Sequence, residues 1–183
     1  MPIEPWTTLT SELVVDNRWM RVRRDSATTP RGVFVPDYYY LDGGHFTMTF
    51  AVTEADEVLW VRQFKYPVRS ITVELPAGVM EPTDPEPIDG ARRELREETG
   101  YGGGAWQPLG QFFQSTGKAS TVMHAYLATG VQRLGDQQPD PAEEIELLPV
   151  PMAEVLALAT SGEVRDVHSQ AVTLQALRRL QRL

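Results

Sequence analysis

Apolar positions along the chain fall into short runs of β-branched and aromatic residues, interrupted once by a long helical pattern and closed by two more. Leu13–Val15, Trp19–Arg24 and Phe34–Leu41 are rich in Val, Tyr, Phe and Trp, and turn residues part them at Asp16-Asn17, Thr29-Pro30-Arg31-Gly32 and Asp42-Gly43-Gly44. Phe46–Thr53 and Glu57–Phe64 read as a hairpin around Glu54-Ala55-Asp56. Within it Val58-Leu59-Trp60-Val61 is continuously apolar, the pattern of a strand covered on both faces. Ile71–Leu75 predicts a further strand, as do Trp106–Phe113, Thr121–Leu127 and Glu144–Val150. The polar stretch Gln132–Ala142 reads as a loop. The central helix is predicted from Asp84 to Thr99, with Asp84-Pro85 as an acidic cap and first-turn proline and Gly100 as the stop. Ala153–Thr160 and Ser169–Leu183 predict two later helices, the second on the spacing of Leu174, Leu177 and Leu180. Strands, helix, strands, helices is the order of a mixed α/β sheet with helices packed on it, not of a regular βαβ repeat.

Composition narrows the classes. A chain of 183 residues with 42% hydrophobic content supports a sizeable core. It contains no run of 18 apolar residues and no basic-then-apolar leader, so we expect no membrane span and a cytoplasmic location. Without cysteine there is neither a disulfide nor a thiolate metal site. A net charge of -8 argues against nucleic acid and anionic membranes as partners, though arginines and metal ions still allow a small anionic substrate.

Candidate chemistry concentrates in Arg93-Glu94-Leu95-Arg96-Glu97-Glu98-Thr99-Gly100-Tyr101. Helical spacing brings Glu94, Glu97 and Glu98 to one side, while Ala91 and Leu95 fall on another and anchor the helix. Three carboxylates on one face repel one another, and a hard divalent cation, Mg²⁺ or Mn²⁺, resolves the conflict. A solvated acidic face is the bland alternative for the glutamates alone. Arg93 stands four residues before Glu97, placed to orient it. Upstream, Glu74-Leu75-Pro76-Ala77-Gly78 ends a strand in a tight turn and brings backbone carbonyls near the helix. His45, His124 and His168 are scattered and show no pairing that suggests a metal site or a nucleophilic triad.

In these residues the chain resembles the Nudix hydrolase family. Its signature runs from a Gly, through a Glu, to Arg-Glu-apolar-x-Glu-Glu-x-Gly-apolar. Gly78 fits the opening, and Arg93 through Gly100 to Tyr101 fits the second half. The interval from Gly78 to Arg93 is one residue longer than the family's, leaving Asp84 (counted forward) or Pro85 (counted back) where an orienting Glu is expected. The resemblance implies the Nudix fold, a mixed β-sheet sandwiched between helices, over residues 46–183. It also implies an antiparallel β subdomain at residues 1–45 that builds a homodimer. Val61–Val68 and Val73–Gly78 are similar to the branch that cleaves ADP-ribose and other nucleoside diphosphate sugars.

By that resemblance the Ala77 carbonyl, Glu94 and Glu98 ligate Mg²⁺ (or Mn²⁺), and Glu97 ligates or orients. The branch's late acidic residue is best matched by Glu143, with Glu144 its neighbour. The proton acceptor is left among Glu97, Glu98 and Glu143. Candidate substrate contacts are Arg62, Lys65, Glu74, Lys118, Trp19 and Tyr38. Trp6 and Tyr40 share the aromatic character of the last two, and Arg21 and Arg23 the charge of Arg62; strand packing and a charged strand edge are the bland readings. Lys65 stands where the branch often has Arg, and Ser115-Thr116-Gly117-Lys118 where it often has Ser-Pro-Gly. The expected activity is hydrolysis of a nucleoside diphosphate sugar, ADP-ribose first. Another diphosphate (GDP-mannose, a dinucleotide polyphosphate, a nucleoside triphosphate, a coenzyme) and a non-catalytic nucleotide sensor are the alternatives.

Overall fold

A computed structural model describes residues 2–183. The chain divides into two compact units: residues 2–44 with Phe113–Val122, and His45–Phe112 with Met123–Leu183.

In the first unit, β1 (Thr7–Asp16), β2 (Arg21–Thr28) and β3 (Phe34–Leu41) form an antiparallel sheet in that order. The β1–β2 turn closes on Asn17, whose side-chain oxygen accepts from the Trp19 and Met20 N–H groups at 2.9 and 3.0 Å. β1 runs well before the expected Leu13, because Thr7, Thr8, Thr10, Ser11 and Glu12 pair with β2 although they are polar and exposed. The expected strand at Trp19 starts instead at Arg21, since Trp19 belongs to the turn. The segment 113–122 joins this unit through backbone bonds between Leu41 and both Lys118 and Ser120.

The second unit holds an eight-stranded sheet. β4 (His45–Thr53), β5 (Glu57–Lys65), β10 (Val122–Arg133) and β11 (Ile145–Pro151) carry its centre, in the order β11-β5-β4-β10. β6 (Ser70–Glu74), β7 (Ala77–Val79), β8 (Tyr101–Gly102) and β9 (Ala105–Phe113) pair with β5, β4, β10 and β10 respectively. α1 (Pro87–Thr99) packs on β4 and β7, and α2 (Met152–Thr160) and α3 (Val167–Arg179) pack on one another, α3 also on β4. Alternation along β4 and β5 builds both layers. Phe50, Val52, Val58 and Trp60 enter a cluster with Val155, Val172 and Leu177, whereas Ala51 and Leu59 enter another with Leu95 of α1. The unbroken Val58–Val61 run is therefore covered on both faces, with none of the four exposed. Among the described residues no helix is long and apolar enough to cross a membrane.

Expected boundaries move in this unit too. α1 begins at Pro87 after Glu86, not at Asp84, because the Asp84 carboxylate serves Glu81 and Arg93 instead of a helix terminus. The stretch after Pro76 is a short strand on β4, in the register Met48↔Ala77 and Thr47↔Gly78. α3 ends at Arg179, four residues before the expected Leu183.

Candidate active site

The site grows from the contact of β7 with α1. Ala91 and Leu95 are fully buried and fix one helix face to the sheet, which leaves Glu94 and Glu98 facing β7. Glu98 is only 3% exposed, and its Oε2 accepts the Ala77 N–H at 2.9 Å. Gly78 lies against the Glu94 carboxylate so closely that an added Cβ would collide with it. That glycine permits the close approach of the Glu94 carboxylate and is not there for a left-handed backbone angle.

Arg93 ties the loop to the helix. Its Nε and Nη2 donate to the two Asp84 oxygens at 3.2 and 3.0 Å, Nη2 also to the Val79 carbonyl, and Nη1 to Glu94 and Glu97 at 2.8 and 2.9 Å. The expected Arg93–Glu97 pairing is thus present. Asp84, with its side chain 6% exposed, occupies the orienting position that spacing alone left between it and Pro85. The extra residue is absorbed in the loop ahead of α1.

Electrostatics separate these carboxylates. The Arg93 hydrogen bond holds Asp84 below the usual carboxylate range. Burial pushes Glu94 up to about 7 against the opposing charge and hydrogen bond of Arg93, with Glu97 and Glu143 adding to the rise. Burial pushes Glu98 up to about 8; the Ala77 N–H and the Lys65 charge oppose this, and Glu94 and Glu143 reinforce it. Glu143 itself is exposed and lies within electrostatic reach of both.

The C-terminal end of α1 is closed by the loop after β10. Gly100 sits in the left-handed region at φ 76° and returns its N–H to Arg96, while its carbonyl accepts from Leu134. Gln138 N–H bonds the Glu97 carbonyl, and the Gln137 side chain bonds that of Glu98. Gln137 is a residue that sequence reasoning passed over, because a loop glutamine gives no signal until its partner carbonyl is known.

Among the described residues no three acidic or histidine side chains meet at one ligating point. Glu97, expected to converge with its neighbours, is drawn toward Arg93 and remains more exposed than Glu94. The candidate donor set is Glu94 and Glu98 beside the Ala77 backbone, all hard oxygen ligands, on two carboxylates whose ionised form burial disfavours. This chemistry fits Mg²⁺ or Mn²⁺.

Other candidates have partners of their own. Arg62 meets Glu146 at 3.1 Å across β5 and β11, and Lys65 meets Glu74 at 3.6 Å across β5 and β6. In the first unit, Trp19 is 80% exposed under the Arg18 guanidinium, and the Tyr38 hydroxyl donates to the carbonyl of Gly117, next to Lys118. Arg21 and Arg23 converge on Asp42 at 3.3 and 2.8 Å, satisfied within their own sheet. His45 Nδ1 and His124 Nε2 lie 2.8 Å apart, brought together by the neighbouring strands β4 and β10.

Comparison with known proteins identifies the family. The model of the NUDIX domain matches residues 45–170, and that of the nucleoside diphosphate sugar hydrolase N-terminal domain matches residues 6–41. An ADP-ribose pyrophosphatase of Bacillus subtilis (strain 168) is 36% identical over 120 residues, covering 65% of this chain and 64% of the relative, so the alignment spans just under two thirds of that protein. A GDP-mannose pyrophosphatase of Citrobacter koseri is 29% identical over 135 residues, 69% of this chain and 70% of its own. A solved structure described as an ADP compounds hydrolase superposes with a TM-score of 0.86 over the whole of both chains at 18% identity, which shows a shared fold. With the NUDIX domain spanning more than half its length, the chain belongs to the Nudix hydrolase family.

Proposed function

We propose that this protein hydrolyses the diphosphate of a nucleoside diphosphate sugar in a divalent-metal-dependent reaction, with ADP-ribose converted to AMP and ribose 5-phosphate. The observation that carries the reading is the pair of partly buried Glu94 and buried Glu98, set against the Ala77-Gly78 backbone and braced by Arg93 and Asp84. Glu94, Glu98 and the Ala77 carbonyl would hold Mg²⁺, or Mn²⁺ in its place. When bound, the ion supplies a water of lowered pKa and neutralises charge on the phosphate oxygens. Glu98 is fixed for this task by the Ala77 N–H, and Glu97 orients Arg93 in place of ligating.

The water oxygen bonds to one phosphorus as the bridging P–O bond breaks, and the departing phosphate takes the electron pair. Glu143, exposed and within electrostatic reach of Glu94 and Glu98, accepts the water proton. Arg62 and Lys65 on β5 offer cationic contacts to the phosphates, with Glu74 holding the Lys65 ammonium in place. The first unit exposes Trp6, Leu9, Phe34 and Tyr39 on a small sheet, in keeping with a homodimer built through that unit.

A second reading, GDP-mannose as substrate, is favoured by the similarity to a GDP-mannose pyrophosphatase. A panel of ADP-ribose, GDP-mannose, diadenosine polyphosphates and nucleoside triphosphates in Mg²⁺, with products separated by chromatography, tests both. The highest kcat/KM is expected for ADP-ribose; preference for a triphosphate would overturn the sugar-nucleotide reading.

A further inference from the structure

Far along the chain from the motif, the start of α3 reaches the segment that carries Ala77. Ser169, fully buried, accepts the Leu75 N–H on its Oγ at 2.9 Å and donates its hydroxyl proton to Asp166 Oδ2 at 2.7 Å. Asp166 is the cap of α3, and its Oδ2 also takes the Ser169 N–H at 2.8 Å. His168 Nδ1 lies 3.1 Å from Asp166 Oδ1, and the Phe46 ring meets the His168 ring edge-on. Both roles of the Ser169 hydroxyl are thereby used, and its orientation is fixed.

The residues that follow Leu75 are held in sequence. The Pro76 carbonyl accepts from Thr49 at 2.9 Å, Ala77 pairs in register with Met48, and the Ala77 N–H holds Glu98. Met48 Sδ also lies 3.9 Å from Ser169 Oγ, so this one hydroxyl sits against both β4 and the strand entering β7. A helix cap alone needs only the Asp166 carboxylate and the backbone N–H groups; it does not need a bond to a residue 94 positions away.

We infer that Ser169, oriented by Asp166, is a positioning residue that sets the Leu75–Ala77 backbone, and through it the Glu98 carboxylate, for metal binding. This rests on the metal-binding reading of Glu94, Glu98 and Ala77 given above. Removal of the hydroxyl leaves the buried Leu75 N–H without a partner and releases the segment just ahead of Ala77. Outer partners of metal ligands commonly govern affinity on a scale of about 10–100-fold.

The test is Mn²⁺ binding to the full chain without substrate, followed by the electron paramagnetic resonance of free Mn²⁺. Ser169→Ala and Asp166→Asn are compared with Val172→Ala, a buried core truncation one turn further along the same helix. Ser169→Ala is expected to raise the Mn²⁺ Kd about tenfold, and Asp166→Asn to raise it less, while Val172→Ala lowers Tm without moving it. Should Ser169→Ala fail to fold, Asp166→Asn decides. Wild-type affinity in Ser169→Ala, or an equal shift in Val172→Ala, overturns the inference alone. A wild-type protein that binds no Mn²⁺ overturns the metal reading of the site and this inference with it.

Discussion

Arg93 uses all five of its guanidinium N–H groups, on Asp84, Glu94, Glu97 and the Val79 carbonyl. A lysine has neither the number nor the fork geometry to replace it. The Asp84 part of this arrangement is nearly buried, so Asp84→Ala should cost about 2 kcal/mol in chemical denaturation; a cost below about 0.5 kcal/mol would mean that Glu94 and Glu97 suffice. The pH dependence has a definite sign. The folded pKa of Asp84 is depressed by Arg93, so its contribution is complete above the unfolded value and fades as pH falls through the folded one. The difference between wild type and Asp84→Ala should therefore be flat at neutral pH and shrink in acid. Glu94 and Glu98 act oppositely. Their folded values, about 7 and about 8, lie above the unfolded range, so the metal-free protein loses stability from them as pH rises through that window. Metal requires the ionised forms, and the Tm increase on adding Mg²⁺ should grow from pH 5 to pH 8; a pH-independent increase would contradict the assignment of these two groups. The glutamates, Arg93 and Gly78 were legible because the motif is local. The roles of Asp84 over Pro85, and of Gln137, were not, since each depends on a partner that only folding brings near. The His45–His124 contact lies beyond a sequence reading for the same reason: the two residues are 79 positions apart.

At the scale of elements, the strand–loop–helix unit from β6 to α1 carries the chemistry, and β7 is its least legible part. Three residues long, it has no periodicity of its own and exists because β4 offers an edge to Ala77-Gly78-Val79. Gly78 then sits where Glu94 leaves no room for a side chain. Gly78→Ala is expected to displace either β7 or Glu94 and to lower kcat by about 100-fold or more, the penalty of roughly 1 Å of misplacement at a reacting centre. Steady-state kinetics at saturating Mg²⁺ check this, and wild-type turnover would show that the close approach is dispensable. Central strands were readable from their apolar runs, because β4 and β5 bury alternate residues in two separate clusters. β1 was read too short, since its polar, exposed residues carry no alternation and its pairing is set by β2. The start of α1 was read too early because an aspartate before a proline looks like a cap wherever it stands, and here its carboxylate was claimed by Arg93.

For the molecule as a whole, the order of elements and the family motif were enough to anticipate a mixed sheet between helices with an antiparallel sheet ahead of it. What the order did not reveal is that Phe113–Val122 packs with the first unit, because that association rests on backbone bonds to Leu41. If the exposed apolar side chains of that unit are covered by a second copy, light scattering should give twice the 20.5 kDa chain mass, and a monomer at micromolar concentration would remove the dimer from the account. If Glu94 and Glu98 carry a metal-dependent diphosphate hydrolysis, the decisive measurement is turnover of ADP-ribose by purified wild type and Glu98→Gln in Mg²⁺, with circular dichroism to verify folding. Wild type should release AMP and ribose 5-phosphate in equal amounts and stop when EDTA is added, and a folded Glu98→Gln should show no measurable turnover. Near-normal hydrolysis by that variant would remove Glu98 from the reaction.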